Sequence, residues 1–267
     1  MSEGGETHQC TGAIVPEADL HCHILPAWDD GAQTLEEALE MARRAQGTGI
    51  QRIVVTPHVS YMFSANPYER ARGIPAAVAE LQSEARAAGL EVEFVPAAEL
   101  TLSPELAERV PVEPWLTVGG GGRYVLVECV QPGHWSGYAD QVLFQLSLRG
   151  ITSIICHPER LPEVQRDVGV LEERVKRGAI AQVIAGSLAK DSDRRTRQCA
   201  RRLLEAGLVS LVSSDAHSEH DALPGEVECV VRSLVGESRA LRILVDNPRL
   251  VLAGAEVRDS GPQRQDK

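Results

Sequence analysis

Short apolar runs rich in Val and Ile alternate along this chain with segments whose composition favours helices. The runs end near residues 20, 56, 97, 128, 156, 185 and 213, and helical stretches lie between most of them. Such repetition of strand and helix is typical of a parallel sheet covered by helices, because a parallel connection needs a crossover segment. About seven units favour an α/β barrel, although an open doubly wound sheet also fits the pattern.

The helical stretches have recognisable beginnings and apolar stripes. Thr34 followed by Glu37 predicts a capped helix start, and Gly47 and Gly49 predict its end. Further helices are expected near residues 75–88, 138–148, 162–177, 193–205, 224–235 and 238–245. The sequence therefore predicts one domain over residues 14–257, between flexible tails at 1–13 and 258–267.

Composition excludes several classes of protein. The net charge of −11 argues against a basic nucleic-acid-binding face. The six cysteines include no CxxC pair, so neither a disulfide framework nor a zinc ribbon is indicated. The first residues lack a signal-peptide pattern, and no apolar run reaches the length of about 18 residues that spans a bilayer. A cytoplasmic protein with free thiols and no membrane insertion is expected.

Polar side chains follow six of the predicted strands at the point where each strand ends. They are His21 and His23, His58, Glu99, Glu128, His157, and Asp215 with His217. Because the carboxyl ends of parallel strands meet at one face of a barrel, these side chains are expected to converge where such barrels have their active sites. Ordinary surface residues would not fall so regularly at strand ends.

The spacing within two segments strengthens this prediction. His21 and His23 are two residues apart, as are Asp215 and His217, so each pair projects to one side of an extended strand. A lone histidine would more often be structural, but burying so many imidazoles and carboxylates without cations would be costly. Ligands of these types without thiolate favour Mn, Fe or Zn in an open catalytic site.

The other histidines are weaker candidates for a role in the site. His8 lies in the predicted tail and His220 in a predicted surface loop. His134 follows Glu128 in a loop that could face the pocket.

Several motifs together resemble one known family. They are Asp19-Leu20-His21-Cys22-His23, Asp29-Asp30-Gly31, Thr56-Pro57-His58, Glu99, Glu128, His157-Pro158-Glu159-Arg160 and Ser214-Asp215-Ala216-His217. In this order they resemble the PHP (polymerase and histidinol phosphatase) superfamily over residues 17–254. More closely, they resemble the bacterial manganese-dependent protein-tyrosine phosphatases of capsule and exopolysaccharide loci. The resemblance implies a distorted (β/α)7 barrel, TIM-like and of the PHP fold, with three divalent metal ions.

The resemblance also implies how the ligands are divided among the ions, with Mn expected and Fe or Zn as alternatives. A first ion would be bound by His21, His23, Glu99 and Asp215. Glu99 would bridge to a second ion, which Glu128 and His157 complete. A third would be bound by Asp30, His58 and His217, with Asp30 preferred over its neighbour Asp29 by position.

The implied activity is hydrolysis of phosphotyrosine by metal-activated water, for example in the tail of a bacterial tyrosine kinase that regulates polysaccharide synthesis. Arg160, next to a metal ligand, would be the catalytic residue, as a planar, bidentate donor to the phosphate. One departure concerns this chemistry: the stretch 218–223 lacks the second Arg that family members usually carry after the Asp-Ala-His motif.

Two other functions stay open on the sequence. The chain could be a PHP phosphoesterase that acts on a small-molecule phosphate, such as histidinol phosphate or a nucleotide. It could instead be a weakly active regulator that binds a kinase, given the missing Arg. A homo-oligomer also stays open. Cysteine-based phosphatase chemistry is excluded, because a Cys-x5-Arg loop needs Arg six positions after the cysteine: Trp28 stands there after Cys22, and Pro162 after Cys156.

Overall fold

The computed structural model describes residues 13–129 and 137–257, and nine strands within these ranges all pair in parallel. The strands are β1 Ala18–Cys22, β2 Arg52–Val55, β3 His58–Val59, β4 Glu93–Pro96, β5 Glu99–Thr101, β6 Tyr124–Glu128, β7 Thr152–Cys156, β8 Ile180–Ile184 and β9 Val209–Ser213. They form two sheets, with the orders β1-β2-β4 and β3-β5-β6-β7-β8-β9.

The nine strands form seven runs that follow one another around the molecule. Two of these runs, β2 with β3 and β4 with β5, are interrupted and pass from the first sheet to the second. Thr56 and Pro57 separate β2 from β3, and Ala97 and Ala98 separate β4 from β5. The predicted α/β fold, a distorted barrel of seven strand–helix units, is therefore confirmed, with the distortion lying in these two interruptions.

The first and last strands approach each other at their carboxyl ends. Cys22 and Ala216 form an isolated parallel bridge. The backbone N–H of His23 donates to Ala216 O at 2.9 Å, and that of Asp215 donates to His21 O at 2.9 Å. The segments that carry the two His/Asp motifs are thereby tied together by backbone hydrogen bonds.

Helices and short 3₁₀ turns connect the strands. The α-helices are α1 Leu35–Gly47, α2 Pro67–Ala71, α3 Ile74–Ala87, α4 Leu106–Arg109, α5 Ala139–Ser147, α6 Pro162–Arg166, α7 Gly169–Lys176, α8 Ala185–Leu188, α9 Arg194–Glu205, α10 Glu228–Val235, α11 Glu237–Leu241 and α12 Asn247–Leu252. The 3₁₀ turns are Pro114–Leu116, Val118–Gly120, Pro158–Arg160 and Pro224–Val227, and Arg242–Asp246 is a π-helical turn. None of the helices in the described ranges is long and apolar enough to cross a membrane.

The sequence signals locate the first helix closely. Thr34 is its N-cap, and its side chain accepts a hydrogen bond from the backbone N–H of Glu37 at 3.2 Å. The Glu37 carboxylate accepts from the backbone N–H of Gln33 rather than from that of Thr34. The expected capping pair is thus present, but the Glu37 side chain bonds the residue before the N-cap instead of the N-cap itself.

The single helix expected over residues 162–177 is wrong, because two helices lie there. Asp167 has extended backbone angles after α6, and its carboxylate accepts from the backbone N–H of Gly169 at 2.9 Å. This side-chain contact offers the backbone an alternative to the helical hydrogen bond, so the chain turns before α7 begins. The stretches 224–235 and 238–245 are likewise subdivided, into a 3₁₀ turn with α10 and into α11 with the π-helical turn.

Both faces of the strands are buried. Consecutive residues along a strand, such as Leu126 and Val127 in β6 or Ile154 and Ile155 in β7, fall into two separate apolar clusters. Parallel strands covered on both faces have this distribution. The core thus fixes where each strand ends, and with it the position of the polar residue that follows. The predicted tails, except Ala13, and the candidate His134 lie outside the described residues.

Candidate metal centre

All nine sequence-predicted ligand residues lie in one connected cluster at the carboxyl ends of the strands. Three overlapping groups, each with donor atoms within 4.8 Å of one another, contain eight of them. The groups are His21, His23, Glu99 and Asp215; His58, Glu99 and Glu128; and His23, Asp30, His58 and His217. The ninth residue, His157, joins the cluster because its Nε2 lies 2.9 Å from Glu99 Oε1.

The inner group consists of His21, His23, Glu99 and Asp215, which are all buried. The two histidine Nε2 atoms lie 3.1 Å apart, and each lies 3.2–3.3 Å from Glu99 Oε2 and Asp215 Oδ1. A regular tetrahedron with edges of this length has its centre about 2.0 Å from each corner, close to the metal–nitrogen distance of Zn²⁺. Five of the six distances among the four donor atoms thus match those around one tetrahedral cation.

Both rings of the inner group are oriented by acceptors behind them. Asp29 Oδ2 lies 2.8 Å from His23 Nδ1. Gln182 Oε1 lies 2.8 Å from His21 Nδ1, and the Gln182 amide donates to Ser213 Oγ at 2.9 Å. With Nδ1 protonated, the Nε2 lone pairs of the two rings point into the same space. Acceptors behind ligating imidazoles are common in metal sites, because they fix the tautomer and the ring orientation.

His58 lies between the other two groups. Its Nδ1 is 3.1 Å from Glu99 Oε2 and 3.4 Å from Glu128 Oε1. Its Nε2 is 3.6 Å from Asp30 Oδ1, and the same Asp30 atom is 3.4 Å from His217 Nε2. The ring therefore faces the second group with one nitrogen and the outer group, formed by Asp30, His58 and His217, with the other.

The adjacent residues Asp29 and Asp30 have different surroundings. The Asp29 carboxylate accepts hydrogen bonds from the backbone N–H groups of Gly31 and His58, besides its contact with His23. Asp30 instead points at His58 and His217 with a half-exposed side chain. Asp29 thus braces the site from behind, and Asp30 is the one of the two whose carboxylate faces the outer group.

Gly31 holds this turn tightly against the first His motif. A Cβ atom on Gly31 would lie 1.9 Å from the backbone oxygen of His23, which is too close for any side chain. The following Ala32 donates its N–H to that same oxygen at 3.0 Å. Only glycine fits at this position, where the turn that carries Asp29 and Asp30 packs against His23.

The charges in the cluster stabilise one another. Burial disfavours ionisation of Glu99, but its interactions with His21, His157 and His23 outweigh it and hold the pKa of Glu99 well below its usual value. Burial likewise disfavours protonation of His157, but its bond to Glu99 raises the pKa of His157 to about 9. Carboxylates that stay ionised in a buried cluster attract cations.

Two buried atoms of the cluster also support a metal. His58 Nδ1 and Glu99 Oε2 have no hydrogen-bond partner among the described residues, although they lie 3.1 Å apart. Unpartnered buried polar atoms are costly, and a coordinated cation would satisfy both at once. The donor set of imidazoles and carboxylates suits Mn, Fe or Zn.

Two of the predicted ligand residues have left-handed backbone conformations. His157 has φ 34° and Asp215 has φ 55°, each directly after or close after a strand end. Non-glycine residues rarely adopt such angles, and strained backbones of this kind concentrate at functional sites. The backbone N–H of His157 donates to Gln182 O at 2.9 Å, which helps to hold the turn.

Arg160 lies at the edge of the cluster. Its Nη1 is 3.0 Å from Asp215 Oδ2, and about half of its side chain is exposed. One contact leaves most of the five N–H donors of the guanidinium free to meet a ligand. The loop after His217 places no Arg nearby; instead Asp221 accepts from the backbone N–H groups of His217 and Ser218.

An aromatic rim, formed by Trp28 and Phe63, was missed by the sequence analysis. The Phe63 ring stacks on His58 at 5.1 Å with an interplanar angle of 5°. Arg70 places its guanidinium 4.6 Å from the Trp28 ring and donates to the backbone oxygens of Phe63 and Ala27. Nothing in the local sequence marks these residues, because their roles arise from contacts between separate loops.

His220, predicted on the surface, is exposed and lies near Glu219.

Comparisons with known proteins agree with this geometry. A family model described as capsular polysaccharide synthesis, CpsB/CapC, matches residues 17–253. The tyrosine-protein phosphatase YwqE of Bacillus subtilis is 34% identical over 204 residues, which cover 75% of this chain and 77% of that protein. The tyrosine-protein phosphatase CpsB of Streptococcus agalactiae is 24% identical over 241 residues, 88% of this chain and 97% of that protein.

A solved structure is also similar over almost the whole chain. It belongs to a study of YwqE from Bacillus subtilis and CpsB from Streptococcus pneumoniae, described as unique metal-dependent tyrosine phosphatases. The TM-score is 0.83 at 28% identity, and the match covers 93% of this chain and all of the other. The chain therefore shares the fold of this structure over almost its whole length.

Proposed function

The chain belongs to the CpsB/CapC family of capsular polysaccharide synthesis proteins, and from this premise we propose that it is a metal-dependent phosphatase that hydrolyses phosphotyrosine in proteins. The observation that carries the proposal is the cluster of nine His, Asp and Glu side chains at the carboxyl ends of six strand runs. Its donor atoms match cations in type, spacing and charge, and they lie at the face where barrel enzymes bind substrates.

The proposed ligand sets share most of their members with the three groups, but the second set contains His157 in place of His58 and the third omits His23. His21, His23, Glu99 and Asp215 would hold the first ion, and Glu99 would share the second with Glu128 and His157. Asp30, His58 and His217 would hold the third. The spacing of the inner group supports the first set most strongly. Mn is the proposed metal, with Fe or Zn as alternatives.

Bound divalent ions would supply charge for the phosphate oxygens and lower the pKa of a water molecule toward about 7, so that it can attack phosphorus. The protein side chains have separate tasks. Asp29 and Gln182 keep the rings of His23 and His21 in one orientation, so that no reorganisation is needed during the reaction. His157 braces Glu99 from the side opposite to His58.

Arg160 is the proposed phosphate-binding side chain. Its position beside Asp215 places a fixed positive charge at the edge of the cluster, where charge on the phosphate can be neutralised. A departing phenolate has a pKa near 10 as the free phenol, so it needs less help from a proton donor than an alkyl oxygen does. Tyrosyl phosphate is therefore a suitable ester for hydrolysis at this site.

The proposed partner is a phosphotyrosine protein, and a bacterial tyrosine kinase of polysaccharide synthesis is the specific candidate. Support comes from the family description and from the named activity of the relatives. A cytoplasmic location is part of this proposal, because such kinases use ATP there. No nucleic-acid partner is proposed, since the chain carries a net charge of −11.

A substrate panel tests the function. The purified chain, supplied with Mn²⁺, is given a phosphotyrosine peptide, histidinol phosphate and a nucleotide at equal concentrations. We expect the phosphotyrosine peptide to be hydrolysed with the highest kcat/KM. Preference for either small molecule would make the chain a small-molecule phosphoesterase. Binding of a kinase tail with negligible turnover of all three would make it a regulator.

A further inference from the structure

A basic groove lies beside the proposed active site. It has a volume of about 910 Å³ and runs between α6 and α9. The residues that give it its chemistry are Gln165, Arg166, Arg195, Arg201, Arg202 and Glu205. Four arginines against one carboxylate make this groove positive on a chain whose net charge is −11.

The amphipathic helix α9 supplies most of the residues that line the groove. Cys199, Ala200, Leu203 and Leu204 are buried on one face of the helix. Its other face turns exposed arginines into the groove, of which Arg195 and Arg202 are two turns apart. Asp193 caps the helix by accepting from the backbone N–H groups of Arg195 and Thr196. The positions of the arginines are therefore set by a rigid element.

These arginines have little compensating negative charge beside them: the Asp193 carboxylate attracts Arg195, but it also accepts from the backbone N–H groups at the helix start. Arg166 Nε and Arg202 Nη1 donate only to the backbone oxygens of Pro162 and Gln165. Within the described ranges, no carboxylate lies at ion-pair distance from any of the four arginines. Elsewhere exposed arginines do form such pairs, as Arg249 does with Glu17 at 2.7 Å. Like charges held together without counterions repel one another, so an anionic ligand would be stabilised here.

The groove begins next to the catalytic edge of the cluster. Pro162, which lines it, follows Arg160 by two residues, so their Cα atoms are at most about 7 Å apart. The 3₁₀ turn Pro158–Arg160 packs directly against both α6 and α9. The groove is therefore within reach of the residues that flank a phosphotyrosine whose phosphate lies beside Arg160.

We propose that this arginine groove binds an acidic segment of the phosphoprotein substrate, next to the phosphotyrosine in sequence. The proposal rests on the proposed function, because it needs a polypeptide substrate. Arginine pairs with Asp and Glu side chains through two parallel hydrogen bonds, so the groove would select substrates by flanking charge. It would also compensate for the absence of an Arg in the loop after His217, by binding the substrate outside the cluster.

Two peptides and two variants test the proposal. Both peptides carry one phosphotyrosine; one has Asp and Glu beside it, and the other has Asn and Gln at the same positions. The groove variant is Arg195→Glu with Arg201→Glu. The control variant is Arg86→Glu with Arg149→Glu, two exposed arginines on α3 and after α5 that change the net charge by the same amount. Turnover of p-nitrophenyl phosphate reports the cluster alone.

In the groove variant we expect kcat/KM for the acidic peptide to fall about tenfold, through KM, since several partly exposed ion pairs are lost together. The amide peptide, p-nitrophenyl phosphate and the control variant should show no comparable change. Binding of a labelled, unphosphorylated acidic peptide, measured by fluorescence anisotropy, should weaken by a similar factor in the groove variant and at high salt.

Equal losses for both peptides, or none, would overturn the proposal. If the unaltered chain hydrolyses neither peptide nor p-nitrophenyl phosphate, the proposed function fails, and anisotropy alone then decides whether the groove binds acidic segments. Loss of binding to phosphatidylserine vesicles in the groove variant, with unchanged peptide kinetics and anisotropy, would identify a membrane-binding surface and also overturn the proposal.

Discussion

The inner and outer groups of the cluster differ in burial and in support. His21 and His23 are fully buried, their Nε2 atoms lie 3.1 Å apart, and acceptors fix both rings from behind. In the outer group the side chains of Asp30 and His217 are 56% and 30% exposed, and their contacts are 3.4–3.6 Å. A preorganised buried site binds an ion tightly, whereas an open one can exchange ligands. We therefore expect the inner group to hold its ion most firmly and the outer group to face the substrate.

The largest effect is expected from a substitution in the inner group. Asp215→Asn keeps the shape of the side chain but removes its charge, so the inner ion and the Arg160 contact are both weakened. We expect phosphotyrosine hydrolysis to fall on the order of 10³-fold, because several kcal/mol of charge stabilisation are lost. Steady-state kinetics and elemental analysis measure the change, with Asp191→Asn, an exposed aspartate, as the control. Near-normal turnover with a normal metal content would contradict the role given to Asp215.

A second comparison uses the adjacent aspartates. Asp29→Ala removes the acceptor behind His23, and we expect weaker inner-ion binding by about 10–100-fold together with a lower melting temperature. Asp30→Ala should leave both properties of the inner group intact and weaken only the outer ion. Metal titration followed by calorimetry separates the two sites. The reverse pattern would exchange the roles of these neighbours.

Arg160→Ala tests whether a side chain can act on the substrate without affecting metal binding by the inner group. This variant should lower kcat/KM for a phosphotyrosine peptide by about tenfold or more, since one donor to the developing charge is lost. Metal content should stay unchanged, because Arg160 touches Asp215 without being a ligand. Arg160→Lys should recover part of the rate, as it restores the charge but not the planar pair of donors. A loss of metal in Arg160→Ala would instead mark a structural role.

The smallest expected effect concerns the aromatic rim. Phe63→Leu removes the ring stacked on His58 while keeping an apolar side chain. We expect a few-fold fall in kcat/KM, since aromatic contacts of this kind contribute about 0.5–1.5 kcal/mol. Tyr61→Leu, a change at a nearby exposed position, serves as the matched control. A change in kcat/KM no larger than that of the control would exclude a positioning role for Phe63.

The sequence predicts which polar side chains gather at the site because strand ends and site are regularly related. Each apolar run marks a buried strand, and a His, Asp or Glu within a few residues of its end emerges at the carboxyl end of the sheet. His58 and Glu99 fit this rule even though they begin the short strands β3 and β5 rather than follow a strand. The division of the sheet into two parts is invisible in the pattern, because the interrupted runs keep the same hydrophobic composition.

The supporting residues could not be identified in this way. Gln182 lies in the middle of β8, where a glutamine resembles any other strand residue, and its importance depends on His21 approaching from a distant segment. The left-handed backbone of His157 and the stacking of Phe63 on His58 likewise depend on tertiary contacts. Local sequence specifies which side chains reach the site, but the assembled fold determines which of them orient the others.

The most direct test of the central claim is elemental analysis of the purified chain and of Asp215→Asn, beside turnover of a phosphotyrosine peptide before and after chelation. We expect stoichiometric divalent metal in the unaltered chain, reduced metal in the variant, and hydrolysis that disappears with chelator and returns with Mn²⁺. Hydrolysis that persists without metal, or equal metal and equal turnover in the two proteins, would contradict this claim.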